Sequence, residues 1–229
     1  MLAVELHVHS DHSHDGRDPV DLILQQAAAV GLDAVAITDH DEIEGSLEAL
    51  ELAREHEDLL AIPGMEVSSG EGHVLAIGVK ELIPPGMPFE VTVERIRDQG
   101  GLAIIPHPFQ ESRHGVAKWL SREEMARADA IEVYNSRLIT GHANNQARRF
   151  ARAHELPMTA GSDAHISEMV GQAVTHVDAR DRSVEAIVDA IAAGRTIVDG
   201  KRTPWHISFR QAAGGASRRL LRRLRGDRA

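Results

Sequence analysis

Short apolar runs in this chain repeatedly end on histidine, aspartate or glutamate, and no other feature constrains the fold so tightly. In chain order they are His7-Val8-His9, Asp15, Thr38-Asp39-His40-Asp41, Glu66, His73, His107-Pro108 and Gly161-Ser162-Asp163-Ala164-His165. Imidazole and carboxylate are the ligands that hold Zn²⁺, Mn²⁺ or Fe²⁺. Side chains alternate along a strand, so His7 and His9 share one face, as do Asp163 and His165. Leu6 and Val8 are expected on the opposite face, against helices. The candidate ligands His7, His9, Asp15, His40, Glu66, His73, His107, Asp163 and His165 are too many for one tetrahedral ion. They point to a multinuclear, hydrolytic site.

Strand and helix signals alternate from end to end. Ala3–Val8 alternates apolar and polar residues as a strand does, and Pro19–Val30 repeats Val20, Ile23, Leu24, Ala27 and Ala28 at helical spacing. Pro19 suits a first helical turn and Gly31 a helix stop. A second strand, Ala34–Thr38, leads into a helix from about Glu42 to Glu57, which Asp41 and Glu44 are expected to cap. Leu60–Val67 and Val74–Val79 read as strands joined by Gly70-Glu71-Gly72. Further strands are expected at Leu102–Ile105, Ala130–Val133, Met158–Ala160, Ala173–Val177 and Thr196–Val198. Helices near 90–99, 122–128, 141–154 and 184–193 separate them. Such βα repetition closes naturally into a barrel, whose active site gathers at the C-terminal strand ends. His7, His9, His40, Glu66, His107, Asp163 and His165 all fall there.

The 229 residues suffice for one large domain, expected over residues 1–200. No apolar stretch reaches the roughly 20 residues of a membrane span, and the N-terminus enters a strand at once, so a cytoplasmic protein is expected. With no cysteine, thiolate ligands, disulfides and a Cys nucleophile are excluded. The net charge of −10 hides an asymmetry: residues 200–229 hold nine Lys/Arg and one acid. Residues 201–229 therefore read as a basic, partly disordered extension that could contact an anionic partner or RNA.

The ordered set His7-Val8-His9-Ser10, Ser13-His14-Asp15-Gly16, Ala36-Ile37-Thr38-Asp39-His40-Asp41, Gly64-Met65-Glu66, His107-Pro108 and Gly161-Ser162-Asp163-Ala164-His165 resembles the PHP (polymerase and histidinol phosphatase) superfamily. The likeness covers roughly residues 5 to 180. It implies a distorted seven-stranded (β/α)₇ barrel with a trinuclear metal centre in its mouth, holding two to three divalent ions. Carried over by motif, one ion falls to His7, His9, Glu66 and Asp163, and a second to Glu66, His73 and His107. The third falls to Asp15, His40 and His165; Asp15 stands where some relatives have histidine, which favours a harder ion such as Mn²⁺. Asp39 is expected to orient a ligating imidazole and Glu132 to support a ligand. Asp15-Gly16 and Thr38-Asp39-His40-Asp41 look closest to small stand-alone phosphoesterases, including nucleotide phosphatases.

Clustered divalent ions acidify water and clamp phosphoryl oxygens. The expected activity is therefore hydrolysis of a phosphate ester by a metal-activated hydroxide. Glu66 would bridge two ions, and Asp163 or His165 would help protonate the leaving oxygen. Arg113, His114, Asn135 and Arg137, on loops after strands, are candidates to bind substrate. With one Tyr, two Trp and four Phe, a long base-stacking groove is not evident. A nucleotide, a short oligonucleotide end or another small phosphorylated metabolite is favoured. The alternatives are a histidinol phosphate phosphatase and a partner-dependent metal-binding module without turnover.

Overall fold

Apolar β-branched runs bounded by amphipathic helices build two layers of strands. A computed structural model describes residues 1–111, 114–137, 141–204 and 207. Arg113 and nearly all of the basic extension lie outside the described residues. In the first sheet β1 (Leu2–Val8), β2 (Ala34–Ile37) and β3 (Leu60–Ile62) run parallel, linked by α1 (Val20–Ala29) and α2 (Glu44–Leu52). Strands β9 (Ala173–Val177) and β10 (Thr196–Gly200) extend it antiparallel on the other side of β1, giving the order β10-β9-β1-β2-β3. The second sheet is β4 (Gly64–Ser69), β5 (Gly72–Ile77), β6 (Leu102–Ile105), β7 (Ala130–Asn135) and β8 (Met158–Gly161), in that order. There β6, β7 and β8 are parallel, whereas β4–β5 and β5–β6 are antiparallel. Helices α3 (Phe89–Asp98), α4 (Arg122–Met125), α5 (His142–Ala153) and α6 (Val184–Ala192) complete the fold.

The fold is mixed α/β, but the expected closed ring of parallel strands is not what the hydrogen bonding shows. Between the two five-stranded sheets the strand pairing is limited to isolated bridges, Val8 with Ala164 and His40 with Glu66. The strand expected over Leu60–Val67 is split at Pro63: β3 belongs to the first sheet and β4 to the second. Proline has no N–H to continue a ladder, so the chain changes sheets there.

Helix α1 buries Val20, Ile23, Leu24 and Ala27 against Val8, Val35 and Ile37. Leu6 does not join Val8 there; it packs with Val4, Ala36, Leu75 and Ile104 in a cluster that draws on both sheets. The β1–β2 register shifts between Glu5 and Val8, and an extra residue in one strand reverses the alternation beyond it. Helix α2 starts later than expected, with no side-chain cap bond. Asp41 instead accepts the Ser68 N–H at 2.7 Å, pinning the loop after β2 to β4. The first residues of the C-terminal extension pack on the body: Thr203 is buried, and its hydroxyl lies 2.8 Å from Ser136 Oγ. Among the described residues no helix is long and apolar enough to cross a membrane.

Candidate metal centre

The two bridges between the sheets bring the ligand-type residues together. His9 N–H donates to Ala164 O at 2.8 Å, which sets the end of β1 beside the Asp163–His165 turn. Glu66 N–H donates to Asp39 O, and Asp41 N–H to Glu66 O, which sets His40 beside β4. Glu66, 1% exposed, then stands among five imidazoles. Its Oε2 lies 3.2 Å from His7 Nε2, 3.2 Å from His9 Nε2 and 3.5 Å from His40 Nδ1. Its Oε1 lies 2.8 Å from His73 Nδ1 and 3.6 Å from His107 Nε2. Asp163 Oδ1 is 3.8 Å from His9 Nε2 and 4.0 Å from His7 Nε2. At the outer side, Asp15 Oδ2 is 2.7 Å from His165 Nε2 and 3.7 Å from His40 Nε2.

These contacts are close, yet several are not hydrogen bonds. Both nitrogens of His9, Nδ1 of His73 and His107, and Glu66 Oε1 are buried without a well-directed hydrogen-bond partner among the described residues. The short His73–Glu66 approach is among them: the atoms are near one another but not aimed at one another. Buried polar atoms left this way are costly, and a shared cation would satisfy them. Four sets have ligand atoms mutually within 4.8 Å: His9-Asp15-His40-His165, His7-His9-Glu66, His7-His107-Asp163 and His40-Glu66-His73. The donors therefore fit metal ions. The sets differ from the motif-based assignment in placing His107 with His7 and Asp163, and His40 with Glu66 and His73.

Electrostatics agree with this fit. Burial lowers the His40 pKa to about 3 and, with Arg137 and His9, the His165 pKa to about 4, so both are neutral donors at neutral pH. Burial would raise Glu66, but His40, His7 and His73 outweigh it and keep the carboxyl ionised. Burial opposes protonation of His7, yet Glu66, Glu132 and Asp163 prevail and favour positive charge there. His107 and Asp163 sit at φ +31° and +52°, strained backbone of the kind that collects at functional sites.

The supporting residues are less predictable. Asp39 makes its hydrogen bonds to a serine and not to an imidazole: its two oxygens accept Ser10 N–H and Oγ–H, each at 2.6 Å, and hold the segment after His9. Asn135 is buried, donating from Nδ2 to Glu132 Oε2 at 3.0 Å and Asp163 Oδ2 at 3.2 Å. It therefore faces the framework rather than the cavity. Arg137 does line the cavity, with Nη1 2.5 Å from Asp163 Oδ1 and 3.0 Å from His165 Nδ1. His114 lines it too, its ring 4.9 Å from that of His73. His14 is not among the candidate ligands or substrate residues of the sequence; it is exposed, but its ring lies 5.1 Å from that of His40 and borders the same cavity. Its place beside Asp15 was the available signal. The cavity measures about 280 Å³.

The PHP-associated family matches residues 141–196. An uncharacterised protein of Methanocaldococcus jannaschii is 33% identical over 156 residues, 64% of this chain and 89% of that one. A Bacteroides vulgatus two-domain protein, containing a predicted PHP-like metal-dependent phosphoesterase, superposes with a TM-score of 0.75 at 23% identity. That match covers 87% of this chain and 65% of the other. The chain belongs to the PHP superfamily. The chain is also similar to the phosphoribosyl 1,2-cyclic phosphate 1,2-diphosphodiesterase of Eggerthella lenta. The two are 38% identical over 86 residues, 35% of this PHP chain and 32% of that enzyme.

Proposed function

We propose that this PHP protein is a metal-dependent phosphoesterase acting on a nucleotide, a short oligonucleotide end or another small phosphorylated metabolite. The observation that carries the reading is Glu66, buried among five imidazoles, with its own Oε1, both nitrogens of His9 and Nδ1 of His73 and His107 left without a hydrogen-bond partner among the described residues. Two to three divalent ions, Mn²⁺, Zn²⁺ or Fe²⁺, would supply charge against the phosphoryl oxygens and acidify water. The chain's own residues do the rest. Glu66 turns one oxygen toward His7, His9 and His40 and the other toward His73 and His107, so it can serve two ions. Arg137 brings a planar guanidinium into the cavity, suited to bidentate contact with phosphate.

Asp163 and His165 are the residues to which the sequence assigns the leaving-group proton. His165 is neutral and has Nδ1 2.9 Å from Asp163 O and Nε2 2.7 Å from Asp15 Oδ2, an arrangement that suits a ligand. The rim imidazole of His114, which borders the cavity beside His73, is a further candidate for that proton. A substrate held by its phosphate, with its organic part outside, accords with a cavity bordered by His14, Ser68, His114 and Arg137. The cyclic phosphodiester named for the Eggerthella relative supports the same small-phosphate class.

The test is hydrolysis with Mn²⁺, read as inorganic phosphate from nucleoside monophosphates, 3′,5′-bisphosphates and histidinol phosphate, as mononucleotide and nucleoside from dinucleotides, and as nitrophenol from bis-p-nitrophenyl phosphate, with Asp163→Ala as control. Turnover of one nucleotide class that disappears in the variant supports the proposal. Silence across the panel from folded, metal-loaded protein contradicts it.

A further inference from the structure

One buried carboxylate outside the ligand set ties the centre together. Glu132, on β7, is 1% exposed and accepts three N–H groups from three segments. Its Oε1 lies 2.9 Å from His7 Nδ1. Its Oε2 accepts the backbone N–H of His107 at 2.9 Å and the side-chain amide of Asn135 at 3.0 Å. Asn135 in turn reaches Asp163 Oδ2 at 3.2 Å. The ends of β1, β6 and β7 thus meet at a single side chain, and that of β8 is joined to it through Asn135.

The chemistry of each contact is specific. A carboxylate only accepts, so when a cation takes the place of the second proton that Glu66, Glu132 and Asp163 favour, the His7 ring must keep its remaining proton on Nδ1 and leave Nε2 bare. Nε2 is the nitrogen that faces Glu66 Oε2, at 3.2 Å, on the side where the donors converge. The His107 bond holds a backbone at φ +31°, a conformation that a bulky residue keeps only when its surroundings enforce it. Gly161 clears the space: a Cβ there would stand 2.2 Å from Glu132 Oε1 and 2.5 Å from His7 Cβ.

We propose that Glu132 is the positioning residue of the metal centre, setting the His7 tautomer and the His107 backbone so that both imidazoles present the correct nitrogen to an ion. The inference rests on reading the site as a metal centre. Glutamine at 132 keeps the volume but has one acceptor oxygen for three donors. With that oxygen turned to His107 and Asn135, its NH₂ faces His7 Nδ1 and drives the ring proton to Nε2, where it blocks coordination. With the oxygen turned to His7, the NH₂ opposes the His107 N–H and unseats that backbone.

The experiment measures Zn²⁺ and Mn²⁺ affinity of the wild type and Glu132→Gln by chelator competition. Long-range ¹H–¹⁵N spectra of the Zn²⁺-loaded wild type report the His7 tautomer. The expected results are a 10- to 100-fold loss of affinity in a variant that remains folded by circular dichroism, and a wild-type His7 protonated at Nδ1 and coordinated through Nε2. Affinity within threefold of wild type, or His7 coordinated through Nδ1, would overturn the proposal. If Glu132→Gln does not fold, the wild-type spectrum alone decides. A wild type that takes up neither ion would instead refute the metal reading, so the two failures are distinguishable.

Discussion

Replacing Gly161 by alanine tests the packing beneath the centre without substituting any candidate ligand. The backbone at Gly161 is not left-handed; glycine is required there because Glu132 and His7 approach too closely for a side chain. A methyl carbon 2.2 Å from Glu132 Oε1 and 2.5 Å from His7 Cβ must push both away, because real contacts of this kind stay above 3.0 Å. A retreat of about 1 Å by Glu132 would break its 2.9 Å bond to His7 Nδ1. Overpacking of this kind costs about 1–3 kcal/mol, and a lost charge-assisted hydrogen bond a further ~1.5–3 kcal/mol. At ~2–4 °C per kcal/mol for a chain of this size, the melting temperature should fall by roughly 5–20 °C. Thermal unfolding by circular dichroism, in EDTA so that lost metal does not contribute, measures the effect. A change below about 2 °C would refute the close-packing argument.

Three further outcomes follow from the same geometry. Burial raises the Glu5 pKa to about 7, against the lowering effect of N–H groups from Ser162, Gly171 and His7. Since the folded value exceeds the unfolded 4.5, Glu5 costs stability progressively as pH rises from about 4.5 to 7, by up to ~3 kcal/mol. In urea unfolding with EDTA, Glu5→Gln should therefore gain on the wild type between pH 5 and pH 8, and a gap that does not move with pH contradicts this. Arg137→Ala should raise KM for a phosphate substrate by about 10- to 100-fold, the worth of a charged hydrogen bond, with metal content unchanged; an unaltered KM removes Arg137 from substrate binding. Stripping metal should lower the melting temperature by about 5–10 °C for each ion that had been present at 100 times its Kd, and scanning calorimetry showing no difference would mean that the ions do not bind the folded state preferentially.

The residues that gather around Glu66 were legible because each is a local signal, a ligand-type side chain at the end of a strand. His7, His9, His40, Glu66, His107, Asp163 and His165 could be placed without knowing which strands pair. What escaped depends on distant partners. Nothing local tells that Pro63 moves the chain between sheets, or that a register shift separates Leu6 from Val8. Asn135 looks like a loop residue facing substrate until the positions of Glu132 and Asp163 are known. Asp39 likewise reads as an imidazole partner beside His40, whereas the parallel pairing of β1 and β2 hands it Ser10.

The central claim is that the imidazoles around Glu66 form a multinuclear metal centre. Metal content per chain, measured by mass spectrometry after loading with Mn²⁺ or Zn²⁺ and desalting, tests it most directly, with Glu66→Ala alongside. Two to three ions per wild-type chain, falling by at least one in the variant, is the predicted result. One ion or none in the wild type, or an equal count in both proteins, would contradict it.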